Sequence, residues 1–321
     1  MIHAVDLSMH YGSRIALQGA SFDVEPGEVV GLLGPNGAGK STIMKILTTY
    51  LYPSRGTATV GGKSVRHEPL AVRRLIGYLP EVLPLYPEMR AGAYLDFVAR
   101  ARGLRGARLR QRRAWVEDHC GLEGVGRHLI RELSKGYQQR LGLAQALIHD
   151  PQVVILDEPT SSLDPHQILA ARRLVRDLAA AGKTVLLSTH ILQEVEAIAD
   201  RLVIITQGHI VGNGTPENLR RDLRQHERAS LSVAAPRQAV ETALNTLPGL
   251  LDARFVSASD DYAMFDVCAA GTGLSRQLGD LLSDKGWRIG ELHVQPPTLE
   301  ETFLALTAPA ASDEAPAVHA C

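Results

Sequence analysis

The 321-residue sequence holds only three cysteines, Cys120, Cys268 and Cys321, and none lies near another. That spacing offers neither a thiolate metal cluster nor a C-x-x-C redox pair. A low, odd count fits a reducing compartment. Charge of one sign is also lacking: 34 Lys and Arg face 35 Asp and Glu, a formal net charge of −1. The chain as a whole is therefore no polycation for gripping nucleic acid or a membrane surface. No run reaches the roughly 18 apolar residues that mark a bilayer-spanning helix. Met1–Ala20 contains Asp6, His10 and Arg14, so a signal-peptide core is not expected there. No internal repeat explains the chain. What is present is an ordinary globular balance, 45% apolar and 21% charged, on a length that suits about two domains.

The first part alternates strand and helix patterns. Strands are expected at Val5–Leu7, Gly19–Val24, Glu28–Leu33, Thr57–Val60, Ile76–Leu79, Val153–Leu156 and Lys183–Ser188, with a closing hairpin around Gln207-Gly208. Helices are expected at Ser41–Leu51, Pro165–Ala181 and Ile191–Ile198, with a mainly helical region at Ala91–Leu147. That alternation argues an α/β fold built on a mostly parallel, doubly wound sheet. After about Leu223 the order becomes βαββαβ, the split-βαβ, ferredoxin-like arrangement. The expected domains are thus 1–222, with a helical subdomain at about 91–147, and an accessory α+β domain at 223–307. Thr298–Thr307 reads as a last helix capped by Thr298 with Glu301 at its third position. The tail at 308–321, rich in Ala, Pro, Ser and Asp, is expected to be disordered.

Arg100, Arg102, Arg105, Arg108, Arg110, Arg112 and Arg113 crowd the helical region. A solvated helical face is the favoured reading. A face held near anionic lipid headgroups is the sharper one. An RNA-binding patch is disfavoured, because no aromatic residues interleave with the arginines.

Gly34-Pro35-Asn36-Gly37-Ala38-Gly39-Lys40-Ser41-Thr42 fits G-x-x-x-x-G-K-[ST] between an apolar strand and a helix. The glycines let successive backbone N–H groups turn inward as an anion nest. The helix adds its free N–H groups and positive dipole end. Lys40 would neutralise β/γ-phosphate charge and the Ser41 hydroxyl would ligate Mg²⁺. Downstream, the strand Val153–Leu156 delivers Asp157 and Glu158 to the carboxyl edge of the sheet, where ligands bind in open α/β folds. Asp157 can hold the metal shell, and Glu158 can take a proton from an attacking water or orient it.

Further motifs resemble those of the ABC transporter ATPase family over roughly Met1–Asn218. Leu133-Ser134-Lys135-Gly136-Tyr137-Gln138-Gln139-Arg140 resembles the family signature, with Lys135 and Tyr137 replacing a glycine and a glutamine. The resemblance implies that Ser134 and Gly136 face the γ-phosphate held by a second subunit. Ser161-Ser162-Leu163-Asp164 resembles the loop that crosses the dimer interface, and His190 the switch histidine. Tyr11 would stack on adenine. Glu81 stands where the family usually carries a metal- or water-reaching glutamine. An ionised carboxylate there can bind a metal but cannot donate a hydrogen bond. Gly77–Glu81, the signature and Leu299–Leu304 together resemble the ABC-2 exporter branch, whose members include gliding-motility and multidrug-resistance subunits.

The implied activity is ATP hydrolysis driving export through a separate membrane permease, at the cytoplasmic face of the membrane. The partners are a second copy of the chain and that permease, with no nucleic acid expected. A soluble ABC-type ATPase of DNA repair or translation is the alternative, although neither a second cassette nor an inserted coiled coil is visible. A P-loop kinase would leave the signature without purpose. The transported substrate is not readable from fold.

Overall fold

The chain opens with an antiparallel hairpin, β1 (Ile2–Tyr11) and β2 (Arg14–Val24). Alternate residues such as Ile2, Ala4, Leu17 and Val24 are buried, the pattern of a sheet with one face on a core. β3 (Val29–Leu33) is buried at every position and leads to α1 (Lys40–Leu47). β4 (Arg55–Val60), the short β5 (Lys63–Ser64), α2 (Pro69–Leu75) and β6 (Ile76–Leu79) follow. The helical region comprises α3 (Ala91–Ala101), α4 (Gly106–His119), two short 3₁₀ turns and α5 (Lys135–Leu147). Then come β7 (Val153–Asp157), α6 (Pro165–Ala180), β8 (Thr184–Thr189), α7 (Leu192–Glu196) and the hairpin β9 (Arg201–Thr206)–β10 (His209–Gly214). The computed structural model describes residues 1–222, 226–259, 262–271, 273–295 and 303.

Six strands form the sheet β10-β9-β3-β8-β7-β6, parallel except at the β9–β10 edge. The remaining early strands do not join it. The expected α/β class with a mostly parallel sheet holds, and β2-β1-β4-β5 adds a separate antiparallel sheet. The reason is visible in the connections. β1, β2 and β4 are linked without a crossover helix between β1 and β2, and a tight hairpin can only pair antiparallel strands. Ile43, Met44, Ile46 and Leu47 of α1 share one core with Ile2, Leu7 and Phe22 of the first sheet and Val30, Ile155 and Val203 of the second. Burying both sheets on one helix fixes where α1 begins, and so where the preceding loop stands.

The arginine-dense stretch is largely exposed, as a solvated face would be, yet four of its seven arginines also hold partners. Arg112 donates to the carbonyls of Leu147 (2.8 Å) and Ile148 (3.3 Å), closing the free C-terminal end of α5. Arg102 donates to Arg73 O at 2.6 Å, and Arg105 to Arg100 O at 2.7 Å. Arg113 is shared between Asp96 (3.0 Å) and Glu117 (2.9 Å). Arg100, Arg102, Arg105, Arg108 and Arg110 are all exposed.

His149, just past α5, is set for a pH effect. Its Nε2 lies 3.1 Å from Ile76 O, while Nδ1 is buried without a partner. Burial foremost, then Arg102 and Arg112, hold its pKa down at about 4 against an ordinary 6.5. The unfolded chain thus takes up a proton that the folded chain refuses. Stability present above pH 6.5 should fall as the pH drops toward 4, by up to about 3 kcal/mol. Thermal melts of His149→Gln should show a shallower acid slope than the native chain. An unchanged slope would acquit His149.

The structure divides into two compact units, Met1–Thr215 and Pro216–Cys321, so α8 (Pro216–Asp222) falls with the second. There β11 (His226–Ala234), α9 (Arg237–Leu244), β12 (Leu250–Ser259), β13 (Tyr262–Ala270), α10 (Leu274–Lys285) and β14 (Arg288–Gln295) succeed one another. The sheet order is β12-β13-β11-β14, every neighbour antiparallel. Two interleaved split βαβ units give that order. Leu231, Val233 and Phe265 pack with Val240 and Leu244 of α9 and Leu278 and Leu282 of α10. The helix expected at Thr298–Thr307, apart from Phe303, and the tail from Ala308 lie outside the described residues.

Candidate active site

Because β3, β7 and β8 are parallel, their carboxyl ends meet on one edge, Leu33 opposite Thr189 and Asp157 opposite Ser188. The loop Gly34–Gly39 leaves β3 there and cannot carry larger residues at two points. A Cβ on Gly34 would lie 2.2 Å from Ile205 O. Gly39 has φ 115°, and a Cβ on it would lie 2.7 Å from Leu17 Cδ2 and 2.8 Å from Ala16 O. Lys40 opens α1 and is only 6% exposed. Its ammonium donates to Gly34 O (2.6 Å) and Pro35 O (3.2 Å) and lies 4.0 Å from Glu158 Oε1. Burial pulls its pKa below the ordinary lysine value, opposed by the carboxylates of Glu158, Asp157 and Glu81. The lysine therefore braces the loop carbonyls while its charge stands among acids.

Asp157 and Glu158 are adjacent, and a regular strand would send them to opposite faces. The backbone breaks instead: Glu158 has φ 51°, in the left-handed region. Its N–H donates to Ser188 O (3.2 Å) and Ser188 Oγ (3.2 Å), which hold the break in place. Ser188 Oγ donates in turn to Asp157 Oδ1 at 2.5 Å, leaving Asp157 2% exposed at the strand end. Glu158 swings to His190, whose Nδ1 is 3.1 Å from both carboxylate oxygens.

Lys40, Glu158 and His190 border a cleft of about 690 Å³, whereas Asp157 and Ser188 lie behind its wall and do not line it. Of the residues expected at a nucleotide site, Tyr11, Asn36, Gly37, Gly39, Lys40, Ser41, Thr42, Glu81, Glu158 and His190 line it. Gly34, Pro35 and Ala38 shape the loop from behind, through the carbonyls on Lys40 and a buried Ala38. Tyr11, at the end of β1, is 45% exposed and lines the cleft. Among the described residues no group of three or more His, Cys, Asp or Glu could cage a metal ion. The donors that are present, the Ser41 hydroxyl with the Asp157 and Glu81 carboxylates, are hard oxygens few in number. They suit Mg²⁺, which keeps waters and phosphate oxygens in its own shell.

Ser134, Gly136 and Asp164 do not line this cleft. Ser134 is exposed and caps α5, accepting from Tyr137 N at 3.3 Å. Asp164 is exposed and caps α6, accepting from Gln167 N at 2.9 Å. Gly136 is buried, and a Cβ there would lie 2.6 Å from Gln167 Oε1. Tyr137, which replaces the usual glutamine, carries Arg140 over its ring at 4.0 Å.

Sequence reasoning missed several residues of this neighbourhood. Arg14 and Lys45 add two cations to the cleft wall; neither belongs to a recognised motif. The sequence shows Ser188 only as part of a strand end, yet it holds the Asp157 carboxylate and the Glu158 N–H. Gln139 is buried in α5 and donates to Glu158 O (3.3 Å) and Pro159 O (3.2 Å), tying the signature helix to the segment after β7.

The ABC transporter family matches residues 17–161 of the chain. The linearmycin resistance ATP-binding protein LnrL of Bacillus subtilis (strain 168) is 32% identical over 310 residues, 96% of this chain and 98% of that protein. The daunorubicin resistance ATP-binding protein DrrA3 of Streptomyces coeruleorubidus is 35% identical over 300 residues, covering 92% of each. Among solved structures, the dimeric bacterial ABC transporter cassette MJ0796 superimposes with a TM-score of 0.62 at 26% identity, over 67% of this chain and 98% of that one.

Proposed function

Since the chain belongs to the ATP-binding subunits of ABC transporters and is an ATPase, we propose that its cleft is one half of a composite hydrolysis site, completed by a second copy. The observation that carries this reading is the division of the motifs. The phosphate loop, Glu158 and His190 share one cleft, whereas Ser134 and Gly136 do not line it.

In this reading Tyr11 stacks on adenine, and the N–H groups of Gly34–Thr42 and the start of α1 cradle the phosphates. Lys40 leaves its loop carbonyls to neutralise β/γ charge. Ser41 and Asp157, with Glu81 at the cleft wall, would hold the Mg²⁺ that accompanies the nucleotide; bound there it neutralises charge on the phosphate oxygens. Glu158 receives a proton from the attacking water or orients it for in-line displacement. His190, held through Nδ1 by Glu158, has Nε2 left to meet the γ-phosphate when the ring is protonated. Ser134, Gly136 and Asp164 of the partner subunit close the other side. The rate gain is positional and electrostatic.

Closure and reopening move a membrane permease supplied by another chain, which places this subunit at the cytoplasmic membrane face. No described helix is long and apolar enough to cross a membrane. The resistance functions named for the two relatives support export in the ABC-2 branch over DNA repair or translation.

The composite site has a sharp test. Lys40→Ala and Ser134→Ala chains each carry a defect in both sites of their own homodimers. A mixed pair contains one intact site, so mixing two inactive preparations should restore turnover. No recovery on mixing, or full activity from an enforced monomer, would sink the composite reading.

A further inference from the structure

Glu194 lies in α7, just past His190, and its acidic side chain is only 5% exposed. A buried carboxylate is costly to keep unless hydrogen bonds satisfy it. Two hydroxyls do so, both on Oε2: Thr160 Oγ1 at 2.5 Å and Thr189 Oγ1 at 3.2 Å. Thr189 Oγ1 itself accepts from Ile191 N at 3.0 Å, so its own hydrogen is available to Glu194. The two threonines stand at informative places. Thr160 follows Glu158 and Pro159 on the segment leaving β7, and Thr189 immediately precedes His190 on the segment leaving β8. One carboxylate oxygen therefore fastens the chain that carries the base to the chain that carries the switch histidine.

We propose that Glu194 is a positioning residue for ATP hydrolysis, a latch that keeps His190 against Glu158 through Thr160 and Thr189. It does not line the cleft, so it offers the nucleotide no direct contact. The left-handed turn at Glu158 makes such a latch necessary. A strained residue persists only where its surroundings over-determine it. Ser188 fixes the N–H side of that turn, Gln139 takes its carbonyl, and the Glu194 latch holds the residues beyond it. The inference rests on the assignment of Glu158 and His190 to hydrolysis made above.

Thr160→Val keeps the shape and removes the hydroxyl, whereas Thr160→Ser keeps the hydroxyl. Thr160→Val should lower kcat about tenfold or more while KM for ATP stays within about twofold. Its melting temperature should stay close to that of the native chain, and Thr160→Ser should recover most of the rate. Glu194→Ala should cost as much, with Thr160→Val adding little on top of it, because both cut one linkage. Should Glu194→Ala fail to fold, the Thr160 pair decides alone. Native kcat in Thr160→Val overturns the latch, as does a Thr160→Ser chain equally impaired, or a loss shared by ATP binding. Glu158→Gln is the control: turnover in that variant removes the underlying assignment, whereas its inactivity beside a fully active Thr160→Val removes only the latch.

Discussion

Glu158→Gln should bind ATP as the native chain does and hydrolyse it roughly a thousandfold more slowly, within the range a positioned general base supplies. The substitution preserves shape and takes away the proton acceptor. An amide oxygen can still accept from His190 Nδ1, now 3.1 Å away, so the loop geometry survives. The electrostatics change in one direction. Glu158 is the foremost influence holding the buried Lys40 ammonium in its charged form, and a neutral amide withdraws it. Bound triphosphate supplies that negative charge instead, so binding is kept while turnover is lost. The variant should therefore accumulate as an ATP-bound dimer, seen as an earlier gel-filtration peak with ATP than without. Turnover at the native rate would exclude Glu158 from the chemistry. Lost turnover with no dimer would separate the chemistry from the composite site.

Lys40→Ala should weaken ATP binding by about a hundredfold or more, roughly 3 kcal/mol at 1.4 kcal/mol per tenfold. Two losses combine. The first is a charge-assisted contact to phosphate. The second is the brace, since the ammonium donates to Gly34 O and Pro35 O at the bend of the loop. Lys40→Arg separates them. It keeps the charge but presents a planar fork in a space that leaves lysine 6% exposed, with Gly34 already pressed against Ile205 O. Arginine should therefore rescue little, measured by displacement of a fluorescent ATP analogue. Binding of ATP by Lys40→Ala within about threefold of native would show that the backbone nest and helix end suffice.

Much of this site was legible before any coordinates, and the reasons are local. An apolar strand, a glycine turn and a lysine-led helix form one contiguous segment, so Gly34–Thr42 states its own geometry. β7 announces itself in the same way, by an apolar run that ends in two acids. What was hidden depends on contacts between segments distant in sequence. Ser188, Gln139 and Glu194 are ordinary residues whose meaning comes from Asp157, Glu158 and Thr160, far along the chain. The β1–β2 hairpin was read too short, because its register shifts between Ala4 and Leu7 and again near Met9, which spoils simple alternation. α2 was missed because Val72 is its one buried residue, too little for a periodic signal. The arginines of Arg100–Arg113 look alike in sequence, yet Arg102, Arg105 and Arg112 end on carbonyls and Arg113 on two carboxylates, which composition cannot display.

Ser134 stands outside the cleft that its own chain builds, and that has a genetic consequence. Each chain would lend its signature to its partner's nucleotide and borrow the partner's in return. A damaged copy then spoils a site in whichever healthy chain it pairs with. In a cell making intact and Ser134-altered chains in equal amounts, random pairing leaves only about a quarter of the dimers wholly intact. A lesion at an exposed helix cap in one chain would thus be felt in the nucleotide site of another.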